Sequence, residues 1–398
     1  MRRPLEGIRV LDLSRVLAGP FCSMLMSDMG ADIVKIEEPG QGDDTRRFGP
    51  PFINGQSAYF LSVNRNKRSL AMDMKAPEAK AVLRTLVERS DVLLENFRPG
   101  TAARLGLGWE EVHAINPRLV YCSVSGYGQT GPESKRPGYD VVIQGTGGIM
   151  SLTGDPDGPP YKMGISQADL VAGMNAFSGI LLALRTRDRD GVGQRVDVSL
   201  LDCQVSLLTF QAQNYFTTGK SPHRMGNQHP SIAPYETVRT ADGYLNIAVG
   251  NDKLWQGFCA ATGRQDLASD ARFSTNPLRV ANREALMEAL APLFKQHELA
   301  WWMSVLDKAG IPAGPILEVD EVLTHPQVLA RDMVVEVEHP TLGPLKLVNN
   351  PLKLSDTPPR VTSAPPLLGQ HSREVLRELG VSDHDIEAWC LRGVVASP

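Results

Sequence analysis

Up to residue 200, short β-branched apolar runs alternate with stretches of helical periodicity, and this alternation constrains the fold more than any other feature of the chain. GIRVLDLS (7–14), ADIVKIE (31–37), the segment 68–74, DVLLENF (91–97), LVYCSVSG (119–126) and 194–200 read as strands. Between them, Pro20 to Met29 reads as a helix closed by Gly30, and Ala76 to Ser90 as an amphipathic helix with Ala79, Val82, Leu83 and Leu86 on one face. Residues 141–152 and 166–186 read as further helices. A strand that reaches the next through a helix pairs with it in parallel by a right-handed crossover, so the first half is expected to be an open α/β sheet.

After a helical segment at 200–219, the polar stretch KSPHRMGNQHPSIAP (220–234) reads as a linker. A smaller unit follows, with a hairpin over 236–250 turning at Asp242-Gly243 and helices near 252–262, 282–295 and 299–309. Beyond GIPAGPI (310–316) come a helix, two β stretches around 334–348, a Pro-rich segment ending in PPLLGQHS (365–372), a helix near 372–379 and a polar tail.

With 41 Lys and Arg against 45 Asp and Glu, the net charge of −4 disfavours a dedicated nucleic-acid binder. No unbroken apolar run reaches the roughly 18 residues that span a bilayer. The basic start MRRPLEGIRVLDL lacks the apolar core of a signal peptide. The five cysteines form no CxxC, and the eight histidines form no HxH or HxxxH with a nearby carboxylate. No metal site, no disulfide framework and a reducing cytoplasmic location are expected. GxGxxG, GxxxxGK[ST] and GxSxG are all absent, which removes the main sequence support for a nicotinamide or flavin dinucleotide, a P-loop and a hydrolase elbow.

Four places could carry chemistry. NRNKRSLAMDMK (64–75) sets Arg65, Lys67, Arg68 and Lys75 against one Asp73, a density of cations suited to phosphate or to an ordinary solvated edge. ENFRPGTAARLG (95–106) adds Asn96, Arg98 and Arg104 after a strand's carboxyl end, where ligands of open α/β sheets bind. SVSGYGQTGP (123–132) and GYD (138–140) form a glycine-rich loop and a helix start. In SQADLVAGMNA (166–176), Ser166 and Asp169 have capping-box spacing; Asp169 is expected either to cap the helix or to serve as an ionised nucleophile held by the helix dipole, with Gly164 and Gly173 allowing close approach.

Together these segments resemble the class III CoA-transferase family, which includes the carnitine-linked CoA-transferases and the α-methylacyl-CoA racemases. LEGIRVLDLSRVLAGPF, GADIVKIE, NRNKRSLAMDMK, DVLLENFRPG, SVSGYGQTGP, GYD, DLVAG, GIPAGPI and PPLLGQH occur in the family's order over residues 5–372. GPPF (49–52), YFLSVNRNK and GNQHPSIAPYE (226–236) are most similar to the subgroup that moves CoA from succinyl-CoA to glutarate and related dicarboxylates.

The resemblance implies Asp169 as nucleophile, forming aspartyl anhydride and aspartyl-CoA thioester intermediates. It implies Lys75, Asn96, Phe97, Arg104 and Tyr139 as contacts to coenzyme A or acyl-CoA. For the far carboxylate of a dicarboxylic acid, Arg46, Arg47, Arg224 and His229 are the candidates. The family differs here in Glu38, where the oxalate branch has arginine, in Leu17, where it has glutamine, and in the missing run of four glycines. Tyr139 stands where the racemases carry a histidine, and a tyrosine is a poor base at neutral pH. Transferase is thus expected over 2-methylacyl-CoA racemase or epimerase, or over a non-catalytic CoA-binding protein. The implied fold is a Rossmann-like large domain of parallel sheet and helices (1–200, completed by 316–398), a linker (201–225) and a smaller α/β domain (226–315), in an interlocked homodimer.

Overall fold

A computed structural model describes residues 3–398. Met1 and Arg2, the first residues of the basic start, lie outside the described residues. Six strands, β1 (Arg9–Asp12), β2 (Asp32–Glu37), β3 (Lys67–Met72), β4 (Val92–Glu95), β5 (Val120–Ser125) and β6 (Arg195–Ser199), overlap the expected runs, β3 starting one residue ahead of its run. They pair in parallel in the order β3-β2-β1-β4-β5-β6, so the strand order reverses between β1 and β4. In such a sheet the crevice for a ligand opens at that reversal, outside the carboxyl ends of the strands.

Neighbouring residues on each strand feed opposite layers. Val10, Ile33, Val92, Leu94, Val120 and Cys122 pack in one core with α1 (Ala18–Asp28) and α3 (Gln167–Asp190). Leu11, Val34, Leu70, Leu93 and Tyr121 pack in the other with the helix Pro77–Arg89. The period of two buries both faces, which is why these strands read as continuous apolar runs. By length and composition α3 could cross a membrane; here its Ala168, Ala172, Ala176, Ile180 and Ala183 are buried in the first of these cores.

The expectation of a merely polar tail is corrected. Ser372–Glu378 is followed by a second helix, Asp383–Leu391, and by Val395–Ala396, which joins the sheet antiparallel to β3. Ile386 and Val395 of this segment are buried in the second core, and Trp389, Cys390 and Val394 pack against it.

Two compact units make up the chain. The first runs to Ile149 and takes in Lys162–Gln213 and Pro326–Pro398. The second contains Met150–Tyr161 and Asn214–His325. In the second, Tyr235–Arg239, Tyr244–Ala248 and Ala313–Pro315 form an antiparallel sheet, over a core that holds Trp255, Phe258, Phe294 and Trp302.

Three of the four cations of NRNKRSLAMDMK, Arg65, Lys67 and Arg68, are taken up by carboxylates of the protein, and only Lys75 lines a cavity. Arg65 is buried, and its Nε and Nη2 donate to Asp28 at 2.9 and 2.7 Å. Lys67 is buried within 3.6 Å of Asp12, and Arg68 pairs with Asp32 and Glu378. Arg65→Ala would strand the Asp28 carboxylate without its cation, a loss of about 3–5 kcal/mol. A denaturant titration should show this loss, while the folded variant keeps its affinity for a phosphate-bearing ligand.

Candidate active site

The carboxyl ends of β1, β4 and β5 lead into the segment 13–18, the segment 96–99 and Gly126. These meet the start of α2 (Asp140–Thr146) and the first turn of α3 around a cavity of about 190 Å³. Arg15, Leu17, Asn96, Arg98, Tyr139 and Asp169 are among its walls. A second cavity of about 550 Å³ shares Arg15 and Phe97 with the first and carries Lys75, Arg104 and Glu38. The six residues that the resemblance assigns to nucleophile and CoA therefore line two adjoining cavities, the acid in one and the phosphate-type cations in the other.

Asp169 does not cap its own helix. Ser166 makes no side-chain cap, and its hydroxyl bonds Tyr59 instead. The Ala168 amide donates to Asp140 Oδ1 at 2.8 Å, so α3 is capped from α2, and Asp140 Oδ2 is held by Gln144 at 2.7 Å. This leaves the Asp169 carboxyl with no hydrogen bond or ion pair among the described residues. Burial first, and then the neighbouring Asp140 carboxylate, push it up to about 7. The expectation that the helix dipole keeps it firmly ionised is corrected: the dipole acts on a group poised between its two forms. Gly173, one turn on, serves packing rather than substrate approach, because a Cβ there would stand 2.6 Å from the Ala18 carbonyl oxygen of α1.

The other expected residues divide. Tyr139 is exposed at the N-cap of α2. Phe97 is buried, and Arg104 is exposed and bonds Thr101 at 2.8 Å. Asn96 is engaged: its amide accepts from Arg15 N at 2.8 Å and donates to Arg15 O at 2.7 Å, so it braces the cavity wall. Arg46 is not available for a substrate carboxylate. Glu37 takes its Nε and Nη2, both at 2.7 Å, and its guanidinium lies 3.7 Å over Phe60. Arg47 is exposed and turned to Gln41 and Asp44. Arg224 and His229 belong to the second unit, where Arg224 bonds the carbonyls of Asp155 and Gly158, and His229 accepts from Ser231 N.

Sequence reasoning missed Arg15 and Arg136 on the Asp169 cavity and noted Arg98 only as one cation among several. The Arg98 side chain makes no ion pair or hydrogen bond among the described residues and is exposed. The hydroxyl of Ser125, buried at the same wall, has no hydrogen-bond partner among the described residues. Helix α1 starts here without a side-chain cap, leaving first-turn amides available at Leu17 and Ala18. The signal for all of these was positional: each lies just past the end of a strand or at a helix start.

This sequence and this fold match a known family. Residues 5–372 fit the model of CoA-transferase family III, and the chain belongs to that family. It is a CoA-transferase, acting on CoA thioesters. Among similar proteins is the succinyl-CoA:glutarate CoA-transferase of Mus musculus, 42% identical over 99% of this chain and 90% of that protein. Another is the succinate–glutarate CoA-transferase of Agrobacterium fabrum, 42% identical over 94% of this chain and 96% of that protein. The crystal structure of a CAIB/BAIF family protein from Brucella suis superposes with a TM-score of 0.85 at 43% identity, over 95% of this chain and 100% of that one.

If Asp169 must be ionised to react, kcat/KM should rise with pH through a limb near 7, well above the ordinary carboxylate range. Asp140→Asn keeps the acceptor for the Ala168 amide but removes the repelling charge. That variant should move the limb toward acid, as read from the pH profile.

Proposed function

We propose that the protein moves CoA from succinyl-CoA to glutarate or a related dicarboxylate through covalent intermediates on Asp169. One observation carries this reading. A carboxyl group without a hydrogen bond or ion pair, buried enough to sit near neutrality in pKa, lines the same cavity as Asn96, Phe97 and Tyr139, beside a second cavity with Lys75 and Arg104. A structural carboxylate buried to this degree is ordinarily paired or hydrogen-bonded. The names of the relatives support the choice of acids.

The chemistry follows from the group. An Asp169 carboxylate oxygen adds to the donor thioester carbonyl; the C–S bond breaks, giving an aspartyl–acyl anhydride and CoA thiolate. The thiolate attacks the aspartyl carbonyl, so the donor acid leaves as carboxylate and aspartyl-CoA thioester remains. The acceptor carboxylate attacks that thioester and releases the thiolate. The thiolate then takes the new acyl group, and Asp169 departs as carboxylate. No net proton is consumed. Desolvation of Asp169 raises its energy as an anion before attack, and exclusion of water protects both intermediates. First-turn amides of α1 supply donors for the oxyanions. Arg98, exposed and unpaired at the wall, is assigned to the acceptor's far carboxylate in place of Arg46 and Arg47. No histidine lines the Asp169 cavity among the described residues, which favours transfer over racemisation.

We further read the protein as a homodimer. In the first unit Val141, Val142, Ile165, Met174, Leu182, Val205 and Phe210 are exposed apolar residues that a subunit interface would bury. An interlocked arrangement would cover them. Native mass spectrometry should find a dimer that persists on dilution; a stable monomer of 43.4 kDa overturns this. For the reaction, Asp169→Ala should lower transfer from succinyl-CoA to a panel of dicarboxylates by about 10⁴-fold or more, with CoA still bound in calorimetry. Substantial surviving transfer refutes the assignment.

A further inference from the structure

We propose that the buried ion pair Lys35–Asp43 is a positioning element for catalysis, holding residues 14–17 of the Asp169 cavity wall in a shape they would not keep unaided. This rests on the reading of Asp169 as nucleophile. Val16 sits at φ +69°, a left-handed conformation that a β-branched residue rarely adopts. No strand or helix holds this segment. Side chains hold it instead: Asp43 Oδ1 accepts from Val16 N at 3.2 Å, Lys35 Nζ donates to Ser14 O at 2.6 Å, and Asp12 Oδ1 accepts from Ser14 N at 2.9 Å.

Lys35 and Asp43 lie 2.8 Å apart, and both side chains are wholly shielded from water. The two groups that set the wall are thus tied to each other, and they are anchored again on either side. Asp12 is fixed by Ser14, Ser23 and Lys67, and the Asp43 amide donates to Glu37 at 3.0 Å. A buried ion pair is seldom more stable than a well-packed apolar pair of the same volume. What it provides is direction: a charge accepts or donates along few geometries. Leu17 and Ala18, the start of α1, continue directly from this clamp into the same cavity as Asp169.

The test is the double variant Lys35→Met/Asp43→Leu, which removes both charges together and leaves neither stranded. It should fold with a thermal midpoint near that of the parent. A wall displaced by an ångström costs on the order of 10²-fold, so kcat should fall by roughly thirtyfold or more while KM for acyl-CoA changes by less than about threefold. Hydrogen exchange should speed up at the Val16 amide by about a hundredfold while amides of β5 stay protected. A kcat within about threefold of the parent, or unchanged exchange at Val16, overturns the proposal.

Should the double variant not fold, Asp43→Asn takes its place. It keeps the volume and an acceptor oxygen but breaks the pairing, and a fall in kcat of about tenfold at constant KM is expected; no fall overturns the proposal. The exchange measurement does not depend on Asp169. Retained transfer in Asp169→Ala would therefore fail the nucleophile reading alone, and an unmoved Val16 amide would fail the clamp alone.

Discussion

An ammonium group with no access to water, that of Lys35, stands beneath the carboxyl end of β1. The rest of the site is arranged around neutralising it. Burial alone would drive its proton off; Asp43, Asp12 and Glu37 outweigh that and hold it charged. Burial would likewise raise Asp43, but Lys35 overcomes this and brings the carboxyl down to about 2. Charges buried at this depth persist only when each finds its partner with good geometry. The partners come from β1, β2, β3 and the turn at 43–47, so pairing the strands in the right order and pairing these charges are one condition. The strand order reverses at β1, and the cavity of Asp169 opens there.

The same physics acts in the opposite direction on Asp169. Where Asp43 has Lys35, Asp169 has only another carboxylate nearby, and its pKa rises to about 7. Two aspartates move in opposite directions because Asp43, wholly buried, faces a cation, whereas half-buried Asp169 is desolvated without one and faces an anion. The first is a structural group; the second, in the mechanism we propose, is the nucleophile, and its unfavourable solvation as an anion is what makes it reactive. The folded state loses stability as pH rises from about 4 through 7, because over this range the folded form is the better proton binder and must give that proton up. The surrounding core has to carry that cost.

Much of this was legible in the sequence, and the failures have definite causes. Runs such as VLLE and VYCSVS announce buried parallel strands because both of their faces are covered, and the Asp242-Gly243 turn announces its hairpin. Arg65 and Lys67 looked like ligand cations because their partners, Asp28 and Asp12, lie in elements far upstream, and a count of local charge cannot see them. The helix and strand at 383–396 were hidden because the helix opens on the charged run Asp383–Asp385 and the strand is only two residues long. Ser166 and Asp169 had capping-box spacing, yet a competing acceptor from another helix, Asp140, took the Ala168 amide, and this left the Asp169 carboxyl unbonded. Asp169, Lys75 and Arg104 stood out by spacing and charge, but it was family likeness that gave them their roles, and Phe97 came from that likeness alone. Arg46 illustrates the converse: a cation plausible for a substrate is fully used by Glu37.

The central claim is that Asp169 is bonded covalently to its cargo during turnover. Its most direct test is peptide mass spectrometry of enzyme incubated with succinyl-CoA and quenched with hydroxylamine or borohydride. The account predicts a modification confined to the Asp169 peptide, formed without an acceptor acid and lost when one is added before the quench. An unmodified Asp169 in enzyme that is actively transferring CoA would contradict it.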